Sequence, residues 1–161
     1  MNEQNELMIK QLLDAWNGQL SRASKLLVEL SDEQIQNEVA PGRNTGTYLL
    51  GHLIAVHDAL FPLLGVGEKL YPQLEEPFIK NPDKAGLEMP SINELRNYWD
   101  ALNKQLANHF NKFTVDEWLQ KHTAVSYEDF LKEPHRNRLN VLISRTNHLA
   151  YHFGQLAFLK K

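Results

Sequence analysis

The sequence contains no cysteine among its 161 residues. This absence excludes a disulfide-stabilised scaffold, a thiolate metal site and a thiol nucleophile supplied by the protein itself. Any metal site must therefore be built from histidine, carboxylate or backbone oxygen ligands. A chain of this length suits a single domain, which we expect to cover residues 1–161, and it can bury a sizeable core without disulfides.

Three further features are missing. No apolar run approaches 18 residues, so we expect no membrane-spanning segment. The first ten residues lack the basic-then-apolar pattern of a signal peptide. The formal net charge is −3, and this acidic balance offers no basic patch of the kind that binds nucleic acid. Together these absences predict a cytoplasmic protein that binds neither membranes nor nucleic acid.

Most of the chain instead shows helical periodicity, with apolar residues spaced by three and four positions. No run alternates apolar and polar residues for long enough to predict a sheet. The periodicity predicts four long helices, over residues 4–30, 45–64, 91–113 and 136–160. Pro62 is expected to kink or end the last turn of the second helix. The sequence therefore predicts an all-α four-helix bundle with long crossover connections.

Local signals mark helix starts and chain breaks. Capping boxes, in which Ser or Thr precedes Glu or Gln by three residues, begin at Ser31, Ser91 and Thr114. Residues 65–90 contain seven glycines and prolines, which exclude a long regular element. Such a segment is either a lid or binding loop, or a plain crossover along the bundle, and the residues leave both open. Residues 122–136 are expected to form a loop or partial turn.

His148 and His152 are the best candidates for chemistry. Residues four apart in a helix lie one above the other, so two imidazoles can converge there on one metal ion. Leu149 stands where an HExxH metalloprotease motif has its glutamate, so that general base is missing. The pair alone is a weak signal, because two polar residues at the edge of an amphipathic helix give the same pattern.

A third histidine would strengthen a metal site, and the second helix offers His52 and His57. Five residues apart in a helix, the two point about 140° away from each other, so they cannot both join one site. Each lies on a different edge of the apolar stripe, and periodicity does not choose between them. Three histidine ligands would leave coordination positions open for water or substrate, as in catalytic rather than structural sites.

These residues suggest a family. Gly51-His52-Leu53 in an apolar helix, followed near the C-terminus by residues 148–156 (HLAYHFGQL), resembles the DinB/YfiT-like superfamily and its His-x-x-x-His-x-Gly-Gln signature. The resemblance covers nearly the whole chain in helix order and length. It implies a four-helix bundle with a divalent metal ion, typically nickel or zinc, held by His52, His148 and His152. The resemblance thus favours His52 over His57. Dimers are common among members of that family, so the resemblance also implies a homodimer.

Several neighbours of these histidines are candidates for the pocket or for orienting an imidazole. Tyr48 lies one turn before His52, and Arg145 lies one turn before His148, where it could hold an anionic group of a substrate. Tyr151 and Gln155 flank His152 and could orient it or contact a substrate. For each of them, a helix-surface, salt-bridge or bundle contact is an equally simple explanation.

The leading hypothesis is a metal-dependent enzyme. Its metal ion would lower the pKa of a bound water, as in a hydrolase, or of an exogenous low-molecular-weight thiol, as in a transferase. Some relatives in the family that the chain resembles are thiol-dependent S-transferases or isomerases, so the resemblance favours the thiol, which would attack a small-molecule electrophile. The alternative is a non-catalytic, stress-related metal-binding or ligand-binding module that uses residues 65–90 as its contact. Haem binding between helices is a third option, which no motif in the sequence specifically supports.

Overall fold

The computed structural model describes residues 3–160. Over these residues the fold is all-α, as predicted, with eight α-helices and no β-strand beyond two isolated bridges. The helices are α1 (Glu3–Glu29), α2 (Asp32–Gln36), α3 (Gly46–Asp58), α4 (Leu60–Leu64), α5 (Ile92–Phe110), α6 (Val115–Leu119), α7 (Tyr127–Lys132) and α8 (Arg138–Leu156).

The four long helices α1, α3, α5 and α8 form the bundle. α1 packs against α8, and α3 packs against both α5 and α8. α5 closes the ring against α1, where Trp99 Nε1 donates a 2.9 Å hydrogen bond to Ser24 Oγ. Trp16 and Trp99 are buried between these helices, and Trp118 of α6 covers one end of the core. The predicted four-helix bundle with long connections is therefore confirmed.

The predicted capping boxes are all present. The side chains of Ser31, Ser91 and Thr114 each accept a hydrogen bond from the backbone N–H three residues on, and the Gln or Glu at that position bonds back. The cap at Thr114 also explains why α5 ends at Phe110 rather than at the predicted residue 113. Thr114 has extended backbone, so the chain must leave the α-helical conformation before it.

The second predicted helix, 45–64, is interrupted. It begins after Thr45, whose side chain accepts from the Tyr48 N–H, but α3 ends at Asp58 and α4 begins at Leu60. Pro62 explains the break one turn earlier, because proline lacks the N–H that would bond to the Asp58 carbonyl, and its ring crowds that oxygen. The effect of Pro62 was predicted correctly, but the break lies at Ala59, N-terminal to the proline.

Two other boundaries differ from the prediction. Residues 122–136 contain a helix, α7, whose N-cap Ser126 accepts from the Asp129 N–H. The last helix starts at Arg138 rather than at residue 136, because Asn137 caps it by accepting from the Asn140 N–H. It ends at Leu156 and continues as one 3₁₀ turn, Ala157–Leu159.

The segment Gly46–Leu64 is long and apolar enough to cross a membrane, contrary to the expectation that no run approaches that length. Most of it is buried inside the protein, as is usual for the central helix of a bundle. Among residues 3–160 it is the one helical segment of this length and hydropathy, and one such segment is weak evidence for a membrane span.

Residues 65–90 cross over the bundle and pack on α3. The segment contains a 3₁₀ turn, Pro72–Leu74, and a π-helical turn, Glu76–Lys80, and buries Leu74 and Phe78 completely. The buried carboxylate of Asp58 anchors it by accepting hydrogen bonds from the backbone N–H groups of Leu70 at 2.7 Å and Tyr71 at 2.8 Å. This packing favours the crossover interpretation of the segment.

Candidate metal centre

Three histidines from two helices meet inside the bundle. His52 lies on α3, while His148 and His152 lie one turn apart on α8. The Nε2 atom of His148 is 3.1 Å from the Nε2 of His52 and 3.1 Å from the Nε2 of His152. The ligand nitrogens all lie within 4.8 Å of one another, so the group could hold a metal ion. The structure therefore brings together the three histidines that the resemblance implied.

Hydrogen bonds fix the tautomers of two of these rings. The Nδ1 of His52 lies 2.8 Å from the backbone carbonyl oxygen of Phe78, which only accepts, so this nitrogen must donate. The Nδ1 of His152 likewise donates to the side-chain oxygen of Gln155 at 2.7 Å. In the neutral rings the Nε2 atoms of His52 and His152 therefore carry lone pairs, and both face His148. Such outer hydrogen bonds are the usual way in which proteins orient histidine ligands.

This arrangement fits a cation better than a set of hydrogen bonds. The Nε2 of His148 lies between two acceptors, and a single proton can satisfy only one of them. Two nitrogens bound to one ion at 2.0–2.1 Å are about 2.9 Å apart in octahedral geometry and about 3.4 Å apart in tetrahedral geometry. The observed 3.1 Å lies between these values. The donor set thus fits a divalent transition metal ion.

The surroundings of His148 and His152 favour the neutral imidazole, which is the ligating form. Burial lowers the pKa of His148 to about 4, and the neighbouring His152, His52 and Arg145 add to the effect. Burial also lowers the pKa of His152, although the hydrogen bond to Gln155 opposes this shift. At neutral pH, a metal ion would not have to compete with a proton for either ring.

Gly51 allows Phe78 to come close to α3. A Cβ atom at residue 51 would lie 2.3 Å from the Phe78 ring, far inside contact distance. Because the Phe78 carbonyl orients His52, the glycine of the Gly51-His52 pair has a steric reason to be there. Gly154, within the C-terminal motif, has no such neighbour, because a Cβ there meets nothing within 4 Å.

Tyr48 lines the site. Its ring is buried and stacks on His52, with the ring centroids 6.2 Å apart and the planes inclined by 11°. Its hydroxyl donates a 2.7 Å hydrogen bond to the carbonyl of Asn81, just past the π-helical turn. Tyr48 therefore ties the crossover segment to α3 beside the histidines, a role for which the sequence held no signal.

The remaining predicted neighbours lie on α8. The ring of Tyr151 is largely exposed, at 65%, and packs edge-on to His152 with the centroids 5.1 Å apart. Tyr151 and Gln155 line a surface groove together with Val39, Ala40, Arg43 and Phe158. Arg145 is half-buried on the other side of His148, and its Nε has no hydrogen-bond partner among residues 3–160.

His57 belongs to the core rather than to this site. It is completely buried between Trp16 and Trp99, and its Nδ1 donates to the Asn103 side-chain oxygen at 2.9 Å. Burial lowers its pKa to about 4. The structure thus resolves the choice that periodicity left open, in favour of His52.

Sequence reasoning missed one contributor to the centre, the carbonyl of Phe78. It is a backbone group, so no side-chain pattern reveals it. Its traces in the sequence are Gly51, which leaves room for Phe78, and Pro77, which lies in the π-helical turn that contains Phe78. Such π-turns are frequent at functional sites.

Comparison with known proteins gives a consistent result. The family model described as the DinB superfamily matches residues 15–156. A solved structure described as "Crystal structure of the conserved protein of locus from Enterococcus faecalis" matches with a TM-score of 0.62. It covers 93% of this chain and 93% of its own, at 16% sequence identity, and therefore shows that the fold is shared. No curated protein matches the chain significantly.

Proposed function

Because this chain belongs to the DinB superfamily, and because three of its imidazoles converge, we propose that it is a metal-dependent enzyme. Its divalent ion, nickel or zinc, would be bound by His52, His148 and His152. Its reaction would join an exogenous low-molecular-weight thiol to a small-molecule electrophile. We further propose that it acts in the cytoplasm, as a homodimer, without binding nucleic acid or membranes.

The observation that carries this proposal is the orientation of the imidazoles. Two Nε2 lone pairs, each fixed by a hydrogen bond at the opposite ring nitrogen, face the Nε2 of His148 at 3.1 Å. A structural zinc site has four protein ligands, whereas catalytic sites keep a position open for water or substrate. No fourth His, Asp or Glu of residues 3–160 joins this group, so an open position supports catalysis.

The chain supplies no thiol of its own, because it contains no cysteine. A bound divalent ion supplies Lewis acidity, which lowers the pKa of a coordinating thiol. In the proposed reaction the S–H proton passes to solvent, and the sulfur lone pair forms a C–S bond with the electrophile. The electron pair of the bond that breaks leaves with the leaving group, which then takes up a proton.

The residues around the histidines have distinct tasks in this proposal. Phe78 and Gln155 hold His52 and His152 in the ligating tautomer. Tyr151 and Gln155, which both contact His152, also line a surface groove, so a small molecule bound there would lie beside the centre. Tyr48 lies parallel to the His52 ring and ties it to the crossover segment through the Asn81 carbonyl.

Metal analysis of untagged protein tests the proposal. We expect about one nickel or zinc ion per chain in the wild type, and none in the His148→Ala/His152→Ala double variant. His135→Ala is the control, because that histidine is exposed and distant in sequence from the ligands. Wild-type protein that holds no metal, or a double variant that holds the same amount, would contradict the site. Metal without turnover of any thiol would instead favour the non-catalytic binding module.

A further inference from the structure

Three buried nitrogens that have no hydrogen-bond partner in the described part of the chain lie on α3 and α8, the two helices that carry the metal centre. Among residues 3–160, six buried side-chain nitrogens or oxygens have no hydrogen-bond partner, and three of them belong to His57, Arg145 and His148. Arg145 lies three residues before His148 on α8, so the two side chains share one face of that helix. Buried polar groups are almost always hydrogen-bonded, which makes this cluster unusual.

Arg145 itself is an unpaired charge. Its side chain takes part in none of the ion pairs or side-chain hydrogen bonds of the described residues, although it is half-buried. Burial lowers its pKa, and no carboxylate opposes the effect. Burying a charged group without a counterion is unfavourable, and arginines in such places normally have an acidic partner. An anion from outside the chain would supply the missing counterion.

The position of Arg145 allows such a partner to reach it. Arg145, His148 and His152 follow the helical spacing i, i+3, i+7 and therefore share one face of α8. The Nε of Arg145 is buried, but its two terminal nitrogens are not among the buried unpartnered atoms and remain accessible. A planar guanidinium with free terminal nitrogens binds carboxylates and phosphates through two parallel hydrogen bonds.

The charge of the site also calls for an anion. Three neutral imidazoles leave the charge of a divalent ion uncompensated, and Arg145 adds one more positive charge close by. No Asp or Glu of residues 3–160 belongs to the metal-binding group. A negatively charged group on the ligand would supply this counter-charge.

We propose that Arg145 binds an oxyanion, a carboxylate or a phosphate, of the small molecule that occupies the metal centre. The thiol or electrophile would thus carry an acidic group in addition to its reacting atom. Arg145 would select acidic molecules over neutral ones of the same shape. The inference rests on the proposed function for the identity of the neighbouring centre.

A pair of probes that differ only in charge tests this. We expect metal-loaded wild-type protein to bind 3-mercaptopropionate at least 10-fold more tightly than its methyl ester, as measured by calorimetry. Arg145→Gln should bind the acid and the ester equally well. Arg145→Lys should show an intermediate preference for the acid, because lysine keeps the positive charge but cannot form two parallel hydrogen bonds with one oxyanion. Arg22→Gln is the matched control: it removes the same charge from an exposed position on α1 and should keep the preference. Competition by acetate and by inorganic phosphate against 3-mercaptopropionate shows whether the site prefers a carboxylate or a phosphate.

Stability separates this role from a structural one. Removing an unpaired charge should leave the melting temperature of Arg145→Gln equal to that of the wild type or above it, and the metal content unchanged. A lower melting temperature with an unchanged preference for the acid would overturn the inference while leaving the metal site intact. If the wild type holds no metal, the proposed function fails. The oxyanion site can still be tested separately, by titrating succinate into the metal-free protein. Binding that Arg145→Gln abolishes supports the oxyanion site, and binding that it leaves unchanged refutes it.

Discussion

The carbonyl oxygen of Phe78 lies 2.8 Å from the Nδ1 of His52 and sets the direction in which that imidazole points. The two residues are 26 positions apart, and the contact joins the crossover segment to the metal centre. The segment thus takes part in the site through its backbone as well as bridging two helices. The geometry of the centre should therefore depend on residues that touch neither metal nor substrate.

Gly51→Ala should weaken the metal centre without removing a ligand. The new methyl group would overlap the Phe78 ring, pushing the Phe78 carbonyl away from His52. We expect a loss of about 1–3 kcal/mol in the free energy of unfolding, as for other overpacked cores, and about 10-fold weaker zinc binding. Competition with a chelator measures the affinity. Gly154→Ala is the control, because its methyl group meets nothing; equal zinc affinities for the two variants would contradict this account.

Gln155→Leu should reduce metal affinity about 10- to 100-fold, because the Nδ1 of His152 loses the acceptor that fixes its tautomer. Metal titration followed by calorimetry gives the affinity. Tyr151→Phe is the companion variant. The Gln155 amide nitrogen lies 3.5 Å from the tyrosine hydroxyl, a long hydrogen bond whose loss should change the metal affinity little. A larger loss of affinity in Tyr151→Phe than in Gln155→Leu would show that Gln155 is not the residue that orients His152.

Acid should destabilise the metal-free protein in part through His57. Burial lowers its pKa from 6.5 to about 4, so the unfolded chain binds this proton more tightly than the folded one. The contribution of His57 to the free energy of unfolding is therefore complete above pH 6.5 and is lost as the pH falls towards 4, by about 3 kcal/mol. Urea unfolding across this range, in the presence of a chelator, measures it.

Two variants isolate the His57 contribution. His57→Phe places an apolar ring between Trp16 and Trp99 and should flatten the pH dependence by that amount. His135→Ala removes an exposed histidine and should leave the pH dependence as it is in the wild type. Parallel pH curves for His57→Phe and the wild type would show that the proton binds elsewhere.

Asp58→Asn should loosen the crossover segment. The buried carboxylate accepts from two backbone N–H groups, and an amide would turn a donor towards one of them. Leaving a buried donor without an acceptor costs about 1–3 kcal/mol, and we expect a loss of that size. Hydrogen exchange should speed up at Leu70 and Tyr71, whereas the exposed control Asp100→Asn should change neither quantity. Unchanged exchange at both amides would contradict the anchoring role.

The elements that the sequence predicted best are those controlled by neighbouring residues. Ser31, Ser91 and Thr114 each cap a helix through partners three positions away, so a short stretch of sequence contains the whole interaction. The helix α7 escaped prediction because Ser126 has Asp129 rather than Glu or Gln at that position, which gives a weaker form of the same signal.

The site was predictable only where its spacing is local. His148 and His152 share one helix face by virtue of the helical repeat. The choice of His52 over His57 depended on which edge of α3 faces α8, and helix periodicity does not contain that information. The roles of Phe78 and Asp58 depend on a crossover segment whose path follows from packing on α3 rather than from any repeat of its own.

The separation of His52 from His148 by 96 positions has a kinetic consequence. Contacts between residues this far apart along the chain require the loop between them to close, and the entropy cost of that closure slows their formation. A site that needs both helices docked does not exist in the early ensemble, so bound metal should slow unfolding much more than it speeds folding. Metal loading would then set how long each molecule survives between unfolding events.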